Sequence, residues 1–306
     1  MTGNSASPQK SRAGQESADR TVELLVVAVE RVSLRCLRLP ERRPVILRPM
    51  RGDEAEGEVL EVLPRRKWRF GRTDYLVGDI VGSRIDAAAL SPVPLELYDR
   101  GPWDPQADFV WLWKENDDAE EELPEWVWAV LRAGPRREFE MQQVIPGADP
   151  DEPDDPITQA AELARAGGLD AAFRMLQRCI EADQRCIDAY AHLGCYYFGD
   201  GCSEWWVRKA LKCYRAGVAI GERALPSGFD GLLPWGWVDN RPFLRALHGL
   251  GLCQWRLGDF AAARETFWRL LMLDPWDSLG VRFVIDEVEA GRDYLAWQSE
   301  TENMPL

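Results

Sequence analysis

Asp188, His192 and Cys195 stand at i, i+4 and i+7, a spacing that brings three side chains to one face of a helix. A carboxylate, an imidazole and a thiol in that order are the parts of an activated nucleophile, the acid orienting the ring and the ring taking the thiol proton. Acyl transfer also needs oxyanion donors and a pocket that excludes water, and no neighbouring stretch supplies them. The expectation is therefore a polar contact face, with an enzyme using this face as an alternative. His248 lies three residues after Arg245 and one position out of step with His192, so the two histidines do not form a matched pair of ligands. There is no H-E-x-x-H, and the carboxylates do not cluster at ligand spacing, so no metal and no cofactor is expected. In "HGLGLCQ" Gln254 stands where a dinucleotide fingerprint needs a third glycine.

A different chemistry is written in "PRRKWRFGR". Arg65, Arg66, Lys67, Arg69 and Arg72 interleave with Trp68 and Phe70, a pattern on which bases can stack beside phosphate-pairing cations. As a strand it places Trp68 and Phe70 on one face and Lys67 and Arg69 on the other, which an ordinary half-buried edge strand also does. A net charge of −14 argues against nucleic acid as the main partner, so a nucleic-acid-associated adaptor is kept only as an alternative.

The elements that position these residues follow from composition and period. With 306 residues, 46% hydrophobic and 29% charged, the chain reads as globular with room for two domains. The polar start lacks a signal-peptide core and "LLVVAV" is too short to span a bilayer, so a cytoplasmic protein with no membrane partner is expected. Seven cysteines without a C-x-x-C pair suggest small core residues rather than a disulfide framework.

Residues 1–20 are polar and low in apolar content, and are expected to be a disordered tail. From 21 to 98, short β-branched runs punctuated by Gly and Pro predict a small β-rich, barrel-like domain, although "VELLVVAVERV" alone fits strand or helix. Residues 99–156 read as an acidic, Pro-rich connector with one short helix at "EWVWAVL", and Pro146–Pro156 as the domain boundary. From 157 to 298 the period lengthens to that of helix pairs with a capping helix, and 299–306 reads as a second tail. The fold class is thus α+β in two domains.

Within the helical part a frame recurs: Tyr190, Leu193, Gly194 and Tyr197 with Ala210 and Tyr214, then Leu247, Leu250 and Gly251 with Ala263, Phe267 and Pro275, and more weakly Ala172 and Leu176. It resembles the tetratricopeptide repeat, with departures at Leu247 and Gln254 where aromatics are usual. The whole arrangement also resembles bacterial tetratricopeptide-repeat proteins with a small N-terminal β-rich domain. That likeness implies no particular reaction. It implies a non-enzymatic scaffold whose concave groove binds a peptide or helix of a protein partner, lined by Asp188, His192, Cys195, Arg241, Arg245, His248, Leu252, Trp255 and Arg256. "DGLLPWGWVDNRPFL" is an insertion ahead of the last copy, with Trp235 and Trp237 as anchors, Asp239 or Asn240 as an N-cap, and Arg241 and Arg245 as a cationic lip.

Overall fold

A computed structural model describes residues 21–48, 50–109, 123–149, 155–199 and 203–302. The tail expected at 1–20, most of the acidic run after Phe109, Cys202 and the last residues of the chain lie outside them. Five strands, β1 (Val22–Val29), β2 (Leu34–Arg38), β3 (Arg43–Arg48), β4 (Glu58–Phe70) and β5 (Thr73–Ile85), close into a barrel in the order β1-β2-β3-β5-β4. All neighbours are antiparallel except β3 and β5.

The ambiguity of "VELLVVAV" has a physical cause. Leu24 and Val26 point into the barrel, while Leu25 and Val27 point outward and join the core of the helical region. A strand buried on both faces reads as a continuous apolar run rather than an alternation. The far part of the β4–β5 hairpin, from Arg65 to Arg72, is exposed throughout.

The stretch read as a connector holds more order than its composition suggests. After a short helix α1 (Ala87–Leu90), capped by Asp86, come β6 (Leu97–Trp103), α2 (Pro105–Asp108), the expected helix α3 (Glu125–Ala133) and β7 (Arg136–Met141). β6 and β7 pair antiparallel. Neither strand carries a clean apolar alternation, and their partners are far apart in sequence, so neither was visible as a strand.

The helical region runs through α4 (Pro156–Arg165), α5 (Leu169–Ala182), α6 (Ile187–Phe198), α7 (Glu204–Ala224), α8 (Arg241–Arg256), α9 (Phe260–Leu273), α10 (Ile285–Glu289) and α11 (Tyr294–Glu302). The expected tail is therefore helical as far as Glu302. Successive helices pack as pairs, α4 with α5, α6 with α7, α8 with α9. Glycines let large rings into the seams: Tyr214 occupies the space a Cβ would need at both Gly194 and Gly249, Phe243 does so at Gly221, and Phe267 at Gly251. No helix among the described residues is long and apolar enough to cross a membrane.

The barrel interior is a core of its own, while its outer face, through Leu25, Val27, Ala55 and Val59, joins the core of the helices. The loop before β4 enters the helical layer, and Ala55 and Glu56 are completely buried there. Gly57 has φ +91°, and a Cβ on it would lie 2.5 Å from the Ala216 Cβ and 3.0 Å from the Tyr190 ring. Arg35 adds a 2.6 Å ion pair to Glu181, and Arg42 bonds the Ala89 carbonyl at 2.7 Å and the Gln184 side chain. Because both the left-handed backbone and the contact with α7 require glycine, Gly57→Ala is expected to cost about 1–3 kcal/mol. Gly236→Ala, where a Cβ meets nothing within 4 Å, is expected to cost almost nothing. Equal melting temperatures for the two variants would contradict this docking.

Candidate functional site

Three carboxylates alternate along the loop that enters the helical layer, and all are buried: Glu54, Glu56 and Glu58. Burying a carboxylate is costly unless its lone pairs are satisfied, and each here has partners. Glu54 accepts from the amides of Arg51 and Gly52 at 2.7 and 2.8 Å, closing the loop on itself. Glu58 accepts from the Ala55 amide at 2.8 Å and meets Lys212 Nζ at 3.2 Å; burial nonetheless raises its pKa, against the pull of Lys212. Glu56 draws partners from several elements. Its Oε1 accepts from the Val29 amide (3.1 Å) and Gln177 Nε2 (2.8 Å), its Oε2 from Tyr197 (3.4 Å), and the Cys213 thiol lies 4.0 Å away.

Above this network a cleft of about 1130 Å³ opens between the barrel and the helices. One wall is a run of rings. Tyr196 and Tyr197 of α6 both pack on Phe173 of α5, Tyr197 stacks on Trp206 at 5.6 Å, and Trp205 meets Trp206 edge-on at 4.4 Å. The ammonium of Lys209 sits among three of these rings, 4.9 Å from Trp205, 5.2 Å from Tyr197 and 5.9 Å from Trp206. Burial lowers the Lys209 pKa, opposed by Glu56. The other wall includes Glu30, Arg31 and Arg35. Arg35 is engaged by Glu30 and Glu181, whereas Arg31 and Arg174 have no ion pair among the described residues.

This arrangement favours holding a ligand over activating a nucleophile. Burial raises the Cys213 thiol and the Tyr197 phenol well above their ordinary ranges, with Glu56 adding to both, so both stay protonated at neutral pH. The two tryptophans, each 41% exposed, are available as contact area.

The residues singled out from sequence fall partly elsewhere. Asp188, buried on α6, accepts from Arg245 of α8 at 2.9 Å and from Gln143 at 3.4 Å. His192 Nε2 lies 3.7 Å from Asp188, too far for a hydrogen bond, and burial lowers its pKa. Cys195 is exposed one turn beyond, so the three share a face without the acid–imidazole bond a nucleophile requires. Arg241 and Arg245 both cover the Trp235 ring, at 5.2 and 5.4 Å, and Arg241 also bonds the Trp235 carbonyl. Of the expected cationic lip, Arg241 is thus engaged within the insertion and Arg245 is shared between Trp235 and Asp188 of α6. Trp255 is a correction: it is 1% exposed, packed by Tyr294 and Trp297 of α11, with its indole N–H on the Arg292 carbonyl, and it belongs to the core. Leu252 is half-buried, and Arg256 lies over Tyr294.

Asn240 is a second correction. It makes no cap bond; fully buried, it accepts from the Met141 amide at 2.8 Å and donates to the carbonyls of Phe139 and Pro234. The insertion is therefore pinned to β7. In the basic strand, Arg65 pairs with Asp79 and Arg69 with Asp74, while Arg66 lies over Trp68 at 5.4 Å. Lys67 and Arg72 are exposed.

Sequence reasoning missed the cleft. The alternation in "DEAEGE" was the available signal, since a strand that starts there must bury one set of acids. The paired tryptophans of "EWW" at Glu204–Trp206 were the other. Comparison with family models, curated proteins and solved structures finds no match to the chain.

His248 gives this region a pH signature. Half-buried, with its ring on Phe267, it has a pKa lowered by burial to about 4. Above the ordinary histidine pKa neither state protonates it. Between that value and about 4 only the unfolded chain does, so stability falls as pH falls through this window. The loss is on the order of 2–3 kcal/mol. Denaturant unfolding across the window is expected to show a shallower slope for His248→Gln than for wild type; identical slopes would contradict the burial.

Proposed function

We propose that the protein is a non-enzymatic adaptor, that its helix pairs form a tetratricopeptide-like array, and that the cleft between barrel and helices holds an extended, acidic and Pro-rich segment of a partner protein. The observation that carries this reading is the aromatic wall from Tyr196 to Trp205 in a cleft of about 1130 Å³ whose lining also holds Arg31 and Arg174, two arginines without ion pairs among the described residues. Aromatic walls suit extended Pro-rich segments, which lose little entropy on docking. Guanidinium groups recognise carboxylates by directional, charge-assisted bonds. The likeness to the repeat family is supported by the small-residue seams that admit Tyr214 and Phe267 between helices.

The concave face first expected to do this supports it less well. Its buried carboxylate and its nearest cation, Asp188 and Arg245, satisfy each other, and Gln143 lies over them. Trp255 is withdrawn into the core.

The test is fluorescence anisotropy with a labelled Asp/Glu- and Pro-rich peptide and a matched peptide in which Lys replaces the acids. The acidic peptide is expected to bind and to change tryptophan emission, with at least tenfold weaker binding for Trp206→Ala and for Arg174→Ala and little change for His192→Ala. Equal binding of both peptides, or loss confined to His192→Ala, would overturn the proposal.

A further inference from the structure

The open end of the barrel forms a second cavity, of about 280 Å³, that shares no lining residue with the cleft. Its floor is apolar, formed by Leu24, Val45 and Leu76, and Arg38, Arg43 and Lys67 stand around it. None of these three cations has an ion pair among the described residues. The one acid in the lining, Asp74, is held by Arg69 through two bonds of 2.6 and 2.9 Å, and the charges of Arg43 and Arg38 act on it at longer range.

The outer face of the same strands continues the site. The register sets Trp68 opposite Tyr75, and the two rings stack at 5.2 Å with only 9° between their planes. Arg66 covers Trp68 at 5.4 Å and Arg48 covers Tyr75 at 6.0 Å. One period further along β4, Phe70 is 77% exposed. With the neighbouring Trp68, 36% exposed, it makes an exposed aromatic patch rather than a lone ring, and such patches mark interaction surfaces.

We propose that this end of the barrel binds single-stranded nucleic acid, with one base stacked on the Trp68 face that Arg66 covers in the free chain, the guanidinium moving aside, the next base on Phe70, and the backbone phosphates on Arg38, Arg43 and Lys67. Stacking requires an open base face, which a duplex keeps inside its own stack, so the aromatic component selects single strands. The cations without ion pairs supply the complementary charge, each releasing counterions when it meets a phosphate. The overall charge of −14 does not oppose this locally, because residues 65–74 hold five basic side chains and one acidic one. Two of the five, Arg65 and Arg69, are paired with Asp79 and Asp74, which leaves the stretch a net positive charge.

The experiment titrates a labelled short oligouridylate into the full chain at several salt concentrations. Binding is expected to weaken with a log–log salt slope of about −2, as three phosphate contacts on a single strand give. Trp68→Ala and Phe70→Ala, both at exposed positions, are each expected to weaken binding at least fivefold while keeping that slope. The double variant Arg43→Ala, Lys67→Ala is expected to flatten the slope to about −0.7. Trp206→Ala, in the cleft, is expected to leave oligonucleotide binding unchanged, which keeps this site separable from the peptide site. Unchanged melting temperatures check that the variants fold. No binding at low salt, equal binding by Trp68→Ala, or displacement by polyglutamate as effective as by unlabelled oligouridylate would overturn the proposal, the last because it would make the site a general acidic-peptide surface.

Discussion

The carboxylate of Glu56 is the constraint on which the arrangement depends. It is completely buried, and the groups that satisfy it come from four elements: the Val29 amide of β1, Gln177 of α5, Tyr197 of α6 and the Cys213 thiol of α7. Such a group stabilises only the one geometry in which its partners converge, since removing a partner leaves a desolvated charge. Barrel and helices are thereby held in a fixed relation. Gly57, next in the chain, lets the loop approach Ala216 closely enough for this convergence.

The cleft is a consequence of that docking. With the loop seated against α7, Lys209 is trapped between the Gly52 carbonyl and the rings of Tyr197, Trp205 and Trp206, and the aromatic wall rises from the same network that fixes the interface. Cation–π contacts strengthen when the cation is desolvated, as here. The wall is thus pre-organised, and pre-organisation lowers the entropy lost when a ligand binds. The face around Asp188 differs in kind, because its polar groups are already paired with one another and with the segment after β7.

Much of the fold was legible in the sequence, and the failures share a physical origin. The barrel, the helix at Glu125–Ala133 and the helical periods follow from local pattern, and Gly251 was readable as a contact point because a glycine inside an amphipathic helix needs a packing reason. What local pattern could not carry was any feature whose partner lies far along the chain. Glu56 and Gln177 are 121 residues apart, and Asn240 pins Met141 from 99 residues away. The acids at 54, 56 and 58 look solvated until the helices that cover them are in place. Trp255 looked like groove lining because helix position alone does not reveal that α11 folds back over it.

The most direct measurement is hydrogen exchange under increasing denaturant for wild type and Glu56→Ala, followed at β1 of the barrel and at α5 of the helical region. If Glu56 couples the two, wild-type amides in both elements open with one shared free energy. The variant is then expected to separate them, with the barrel opening at a free energy lower by about 1–3 kcal/mol, the cost of the buried donors it leaves unsatisfied. A variant in which β1 and α5 still open together, at the wild-type free energy, would contradict the claim that this carboxylate holds barrel and helices as one unit.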